Sequence, residues 1–138
     1  MIKQFEQIDI SGDVGLKVWG QDLEELFKNA ATGMSELITD VSIVPESESR
    51  EVHVVAESNE DLLVHWLNEL VFLFDTYNYI GKSYSVSIAN KKLKAEISGG
   101  TFEPSTNESR LLIKAATYHD LSLTKTSSHW EATIIFDI

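Results

Sequence analysis

Two stretches of the chain repeat their apolar residues with helical spacing, and most of the remainder alternates. In the first stretch, Leu23, Leu26, Phe27, Ala30, Ala31, Met34, Leu37 and Ile38 follow the i, i+3, i+4, i+7 rule. Asp22 precedes them as a candidate N-cap, with Glu25 three residues on, so a helix is expected near 22–39. In the second, Leu62, Leu63, Trp66, Leu67, Leu70, Val71 and Phe74 form one broad apolar stripe. Ser58 is its candidate N-cap, and Glu60 and Asp61 place negative charge at the positive end of the helix dipole. That helix is expected near 59–77.

Elsewhere the period is two. Leu16 and Val18 alternate with Lys17 and Trp19; Val52, Val54 and Ala56 with His53 and Val55; Tyr84, Val86 and Ile88 with serines. Leu93, Ala95 and Ile97 continue the pattern, as do Leu111, Ile113 and Ala115. The last run puts Trp130, Ala132, Ile134, Phe136 and Ile138 on one face and Glu131, Thr133, Ile135 and Asp137 on the other. These segments predict about seven or eight strands. With the two long helices they define an α+β fold: two helices packed on a mostly antiparallel sheet system. Residues 44–50 and 99–109, which hold both prolines and many small polar side chains, read as loops. No repeat, low-complexity tract or linker divides the chain, so 1–138 is expected to form one domain.

Composition narrows the chemistry. The absence of cysteine removes disulfides, thiolate metal sites and cysteine nucleophiles together, and is compatible with a reducing, cytoplasmic setting. Twenty-two acidic against 11 basic residues give a net charge of −11. Such a surface repels phosphate backbones and argues against direct nucleic-acid binding; it suits cations or a basic protein partner. Residues 1–10 lack the apolar core of a signal peptide. The longest clean apolar run, Leu70 to Phe74, falls far short of the roughly 20 residues of a membrane span, so no membrane association is expected.

No phosphate-binding glycine loop, HExxH or nucleophile elbow is present, and His53, His65, His119 and His129 lack metal-ligand spacing. Carboxylates are the abundant reactive groups. Asp9 and Asp13 bracket a small-residue bend, Ser11-Gly12, and Asp137 is followed only by Ile138 and its terminal carboxylate. Most aspartates of an acidic protein are simply solvated. Brought together, though, two aspartates and a terminal carboxylate make a hard-oxygen site for Ca²⁺, Mg²⁺ or Mn²⁺. A hydrolase using Asp9 and Asp13 is the weaker alternative, because no base or nucleophile pairing accompanies them.

Read together, the segments resemble a known family. The opening from Phe5 to Gly20, with Asp13-Val14-Gly15 and then Trp19-Gly20, is similar to the N-terminal signature of archeases, an acid-His-Thr-Ala-Asp-(Ile/Val)-Gly strand followed by an aromatic-Gly. Asp22 to Ala31 and Glu60 to Leu70 resemble that family's two helices, the second ending in Phe74-Asp75-Thr76. Lys114-Ala115-Ala116-Thr117-Tyr118-His119 and the terminal Phe136-Asp137-Ile138 resemble its closing motifs. The likeness spans nearly the whole chain.

The resemblance implies a metal-binding accessory protein, not an enzyme. It implies activation of the GTP-dependent tRNA-splicing RNA ligase, by promoting the ligase–guanylate intermediate and its turnover. The alternative that the resemblance implies is a chaperone-like modulator of RNA-modifying enzymes such as tRNA methyltransferases, a role also proposed for the family. Carried over residue by residue, the metal ligands are Asp13, Asp137 and Ile138, the last through its carboxylate, with Ca²⁺ expected first. Lys114 corresponds to a functional lysine and is expected to be exposed near both acids. Two family histidines are replaced, by Ile10 and Asn107, and the motif Thr-Ala is Ser11-Gly12. The loss of the histidines implies weaker or altered activation.

Overall fold

The computed structural model describes residues 3–138. In chain order the elements are β1 (Phe5–Ile10), β2 (Asp13–Gly20), α1 (Leu23–Ile38), a 3₁₀ turn (Val41–Ile43), β3 (Glu48–Val55), α2 (Asn59–Tyr77), β4 (Tyr79–Ala89), β5 (Lys92–Thr101), β6 (Ala115–Ala116), β7 (Ser122–Lys125) and β8 (Trp130–Asp137). All strand pairs are antiparallel. One sheet has the order β1-β2-β8-β6, with β7 also on β8; the other, three-stranded, has the order β3-β5-β4.

The helices lie between the two sheets. α1 packs on β2 and on β4, and α2 touches β3, β4 and β5 as well as β6 and β7. This explains a feature that one amphipathic stripe does not. α1 buries Asn29, Gly33 and Ser35 along with its apolar positions, because it has a sheet on either side. The expected caps are present: the Asp22 carboxylate accepts from the Glu25 N–H at 2.8 Å, and the Ser58 hydroxyl from the Asp61 N–H at 3.1 Å. Asn78, in the left-handed region, ends α2.

Polar atoms inside the helical layer are paired across elements. The fully buried Trp66 donates its indole N–H to the Phe27 carbonyl at 3.0 Å, tying α2 to α1. Asn29 donates to the Trp19 carbonyl at 2.8 Å, and the Ser35 and Tyr84 hydroxyls share a 2.9 Å bond. Trp66 and Tyr84 meet edge to face at 6.1 Å. Burial holds the Tyr84 phenol well above its ordinary pKa, with Ser35 opposing. The Thr39 hydroxyl is the exception, buried with no partner.

Two expectations shift at the edges. Only Ala115–Ala116 of the 111–116 alternation is a strand. Arg110 and Leu111 instead donate their N–H groups to the Ile38 and Leu37 carbonyls, which would otherwise be orphaned at the end of α1. Conversely, Gly99, Gly100 and Thr101 extend β5, and β3 already begins at Glu48, so both predicted loops are shorter than their composition suggested. No helix is long and apolar enough to cross a membrane among the described residues.

A carboxylate corner as the candidate functional site

Asp13 is placed by a hairpin. β1 and β2 are joined by Ser11 and Gly12 alone, with φ of 50° and 87°, the left-handed pair of a two-residue turn. Glycine suits the second position, where a side chain would be strained. The turn sets Ile10 directly opposite Asp13, the first residue of β2. On its other side β2 pairs with β8, where Val14 faces Phe136. The β2–β8 ladder ends at that pair; Asp13 and Asp137, the last residue of β8, are the next positions beyond it, and Asp137 pairs with Ala115 of β6. The Ile10–Asp13 and Asp137–Ala115 pairs thus lie side by side at this end of the sheet. Facing residues project to one side of a sheet and the next positions to the other, so both carboxylates share a face. Asp9 pairs with Val14 and projects to the other.

Lys114 reaches this end of the sheet through the backbone. Its N–H donates to the Asp137 carbonyl at 2.7 Å, and its side chain is exposed, as expected. β6 is only two residues long, and a residue the sequence reasoning passed over holds it in place. The Asn68 side chain of α2 accepts from the Ala116 N–H at 2.7 Å and donates to the Ala116 carbonyl at 3.1 Å. Thr117 adds a hydroxyl bond to the Ile135 carbonyl at 2.8 Å. An Asn inside an otherwise apolar helix face was the available signal.

Ile135 was expected on the polar face with Asp137, and it is on that face, yet it is only 3% exposed. Gly15 explains this. A Cβ there would lie 2.7 Å from the Ile135 Cδ1 and 3.3 Å from the Ile8 Cγ1. The glycine leaves room for Ile135 to lie flat against β2, making a small apolar floor beside the carboxylates. A glycine in mid-strand marks such a close approach.

Asp13, Asp137 and Lys114 are exposed, and no ion pair engages them among the described residues. Among the described residues, four of the eight exposed large apolar side chains, Ile10, Leu112, Tyr118 and Ile138, flank these positions in sequence. Burial and then the Asp61 carboxylate hold the Tyr118 phenol above its ordinary pKa. Asn107 has a different position. It is buried, its side chain accepts from the Glu103 N–H, and its own N–H donates to the Glu103 carbonyl at 2.7 Å, so it closes the 103–107 turn.

The donor set can be tested against a metal. Among the described residues, no three His, Cys, Asp or Glu side chains come together to hold one. Asp13 and Asp137 offer two carboxylates, and a third protein oxygen would have to come from outside the Asp and Glu side chains. An exposed, oxygen-only set fits a hard divalent cation that keeps much of its water. It does not fit zinc, which favours nitrogen and sulfur in a closed shell.

Two helices between antiparallel sheets, with an acidic corner where the first hairpin meets the last strand, define an α+β protein of a recognisable kind. Residues 5–138 match the Archease protein family (MTH1598/TM1083), and the chain belongs to that family. It is 37% identical over 139 residues to protein archease of Saccharolobus solfataricus and 32% identical over 139 residues to that of Sulfurisphaera tokodaii, covering 99% of this chain and 100% of each relative. The solution structure of Methanobacterium thermoautotrophicum protein 1598 is similar throughout, with a TM-score of 0.87, 34% identity, and 99% of this chain and 100% of that one covered. The crystal structure of an archease from Thermotoga maritima, described as a possible chaperone, shares the fold at a TM-score of 0.69 and 22% identity, covering 100% of this chain and 98% of that one.

Proposed function

We propose that this protein is an accessory factor that docks on a GTP-dependent tRNA-splicing RNA ligase and promotes its guanylylation and turnover, using the carboxylate corner to hold a divalent cation. The observation that supports this is convergence. Asp13 and Asp137, from opposite ends of the sequence, lie at the same end of one sheet, and Lys114 is bonded to the backbone of Asp137 beside them. A packed core needs none of these side chains, since all three are exposed.

Each residue then has a task. Asp13, Asp137 and the Ile138 carboxylate hold the cation, which supplies positive charge against phosphate oxygens at the partner's nucleotide site. Lys114 adds a second positive charge at the rim. Ile10, Leu112 and Tyr118 give the corner apolar surface for a protein partner, and the net charge of −11 favours a basic one. Ile10 stands where the family carries a histidine, opposite Asp13, so this corner has less polar capacity than its relatives'.

The test is formation of the ligase–guanylate intermediate with and without this protein, in the presence of Ca²⁺, Mg²⁺ or Mn²⁺. Stimulation is expected to fall at least tenfold in Asp13→Ala, Asp137→Ala and Lys114→Ala, and to rise in Ile10→His. Unchanged stimulation in all three alanine variants would overturn the role of the corner. A pull-down that recovers an RNA methyltransferase and no ligase would move the protein to the chaperone-like reading.

A further inference from the structure

The three-stranded sheet ends on β4, whose outer side no strand covers. β4 and β5 are joined by a two-residue turn, Asn90-Lys91, both at positive φ, so Ala89 and Lys92 are the pair that closes the ladder. Backbone polar groups alternate along a strand. Ser83, Ser85, Ser87 and Ala89 therefore bond to β5, while Tyr84, Val86 and Ile88 turn their N–H and C=O groups outward. One contact confirms the parity: the Ile88 N–H points away from β5, to the Glu24 carboxylate of α1 at 3.4 Å.

Protein edges are usually guarded by charge, proline or bulges. β3 carries Glu48, Arg50, Glu51 and His53 along its length, and β1 carries Glu6 and Asp9. The N-terminal part of β4 is guarded too. It has a bulge between Gly81 and Ser83, and the Lys82 ammonium bonds the Ser42 and Val44 carbonyls at 3.2 and 2.8 Å. From Ser83 to Ala89 there is no charge, proline or glycine. Alongside that stretch runs an open notch of about 400 Å³, lined by Glu24, Glu25, Lys28, Tyr84, Ser85 and Val86.

We propose that this edge is a docking site for an extended, basic segment of a partner protein, which adds to the sheet as a fourth strand along Tyr84–Ile88. Strand addition supplies backbone hydrogen bonds for affinity and side-chain pockets for specificity. The notch selects charge: Glu24 and Glu25 outnumber Lys28, and the chain as a whole carries −11. The same charge opposes self-pairing of two copies. Glu24 is a removable guard, because its contact to the Ile88 N–H is long and only part-buried, and a lysine or arginine of the incoming strand would draw the carboxylate away.

A nine-residue peptide alternating lysine with valine or threonine is the probe, followed by amide NMR on the whole protein. Shifts are expected to cluster at Tyr84–Ile88 and Glu24, with slowed exchange at the Tyr84 and Val86 N–H groups. Val86→Pro removes an outward N–H without removing a ladder bond, and should reduce binding at least tenfold. The Ser85 and Ser87 amides report whether the ladder survives in that variant. The same peptide methylated on alternate backbone nitrogens keeps its charge and should not bind, a control that does not depend on the variant folding. Glu24→Gln with Glu25→Gln should weaken binding several-fold. No shift at millimolar peptide, shifts confined to other surfaces, or equal binding of the methylated peptide would overturn the proposal. So would concentration-dependent dimerisation that protects Tyr84 and Val86 without peptide, since the occupant would then be a second copy.

Discussion

Trp66 and Tyr84 are buried, and the side-chain polar atom of each has a partner on another element. Asp13, Asp137 and Lys114 sit at the rim of a sheet, exposed, with their charges unpaired among the described residues. The backbone around them is nonetheless as well bonded as the interior, through the hairpin turn, the β2–β8 register and the Asn68 clamp. The side chains that tie the layers together are thus not the charged ones at the corner. The helical layer lies between the two sheets, and the corner presents its charges from a well-bonded rim.

The sharpest way to break this contrast is Trp66→Ala. The substitution empties the contact between α1, α2 and β4 and leaves the Phe27 carbonyl without its indole donor. A loss of about 3–5 kcal/mol of unfolding free energy is expected for a buried tryptophan, read from denaturant titration. A loss below about 1 kcal/mol, the scale of a typical substitution, would mean that the middle layer does not hold the sheets together.

The opposite outcome is expected at the corner. Asp13→Asn with Asp137→Asn should leave unfolding free energy within about 0.5 kcal/mol of the parent, as for surface changes away from structural features. Any change should be toward greater stability, because two like charges at neighbouring positions are removed. Divalent binding by calorimetry should disappear in the same variant. A destabilisation of 2 kcal/mol or more would show that the carboxylates are structural, and the separation of roles would fail.

The fold was legible because both of its periodicities come from burial. Helices with their apolar residues at 3.6 spacing and strands at spacing two announce themselves, and the caps at Asp22 and Ser58 fix where the helices start. That the helices lie between two sheets was not legible: nothing in the apolar spacing of α1 says that Asn29 and Ser35 are buried, satisfied by the Trp19 carbonyl and the Tyr84 hydroxyl. The strand expected over 111–116 forms only at its end for a similar reason, because the Leu111 amide serves the end of α1 and not a sheet. At the corner, the resemblance supplied the candidate residues and spacing alone could not. Nothing local to Asp13 says that residue 137 lies across the next strand. Asn68 and Gly15, which shape the corner, carry no charge and so drew no attention.

The smallest expected effect lies between the two regions, at Asp40. It is an exposed acid like Asp13, but unlike Asp13 it is bonded: its carboxylate accepts from the Ser42 hydroxyl at 2.7 Å and the Ser42 N–H at 3.0 Å, capping the 3₁₀ turn that follows α1. Those bonds, the hydroxyl first, hold its pKa below the ordinary 3.8, helped by Arg110 and Lys82. A depressed folded-state value means that the unfolded chain takes up a proton first as the pH drops. The stabilising contribution is therefore complete above about pH 3.8 and is lost as the pH falls through the lower, folded value. Asp40→Asn keeps a capping oxygen that cannot titrate. Its melting temperature should match the parent's near neutrality to within about a degree or two. Below about pH 3.8 it should fall less steeply than the parent's. Parallel profiles for parent and Asp40→Asn would show that the cap is not coupled to folding.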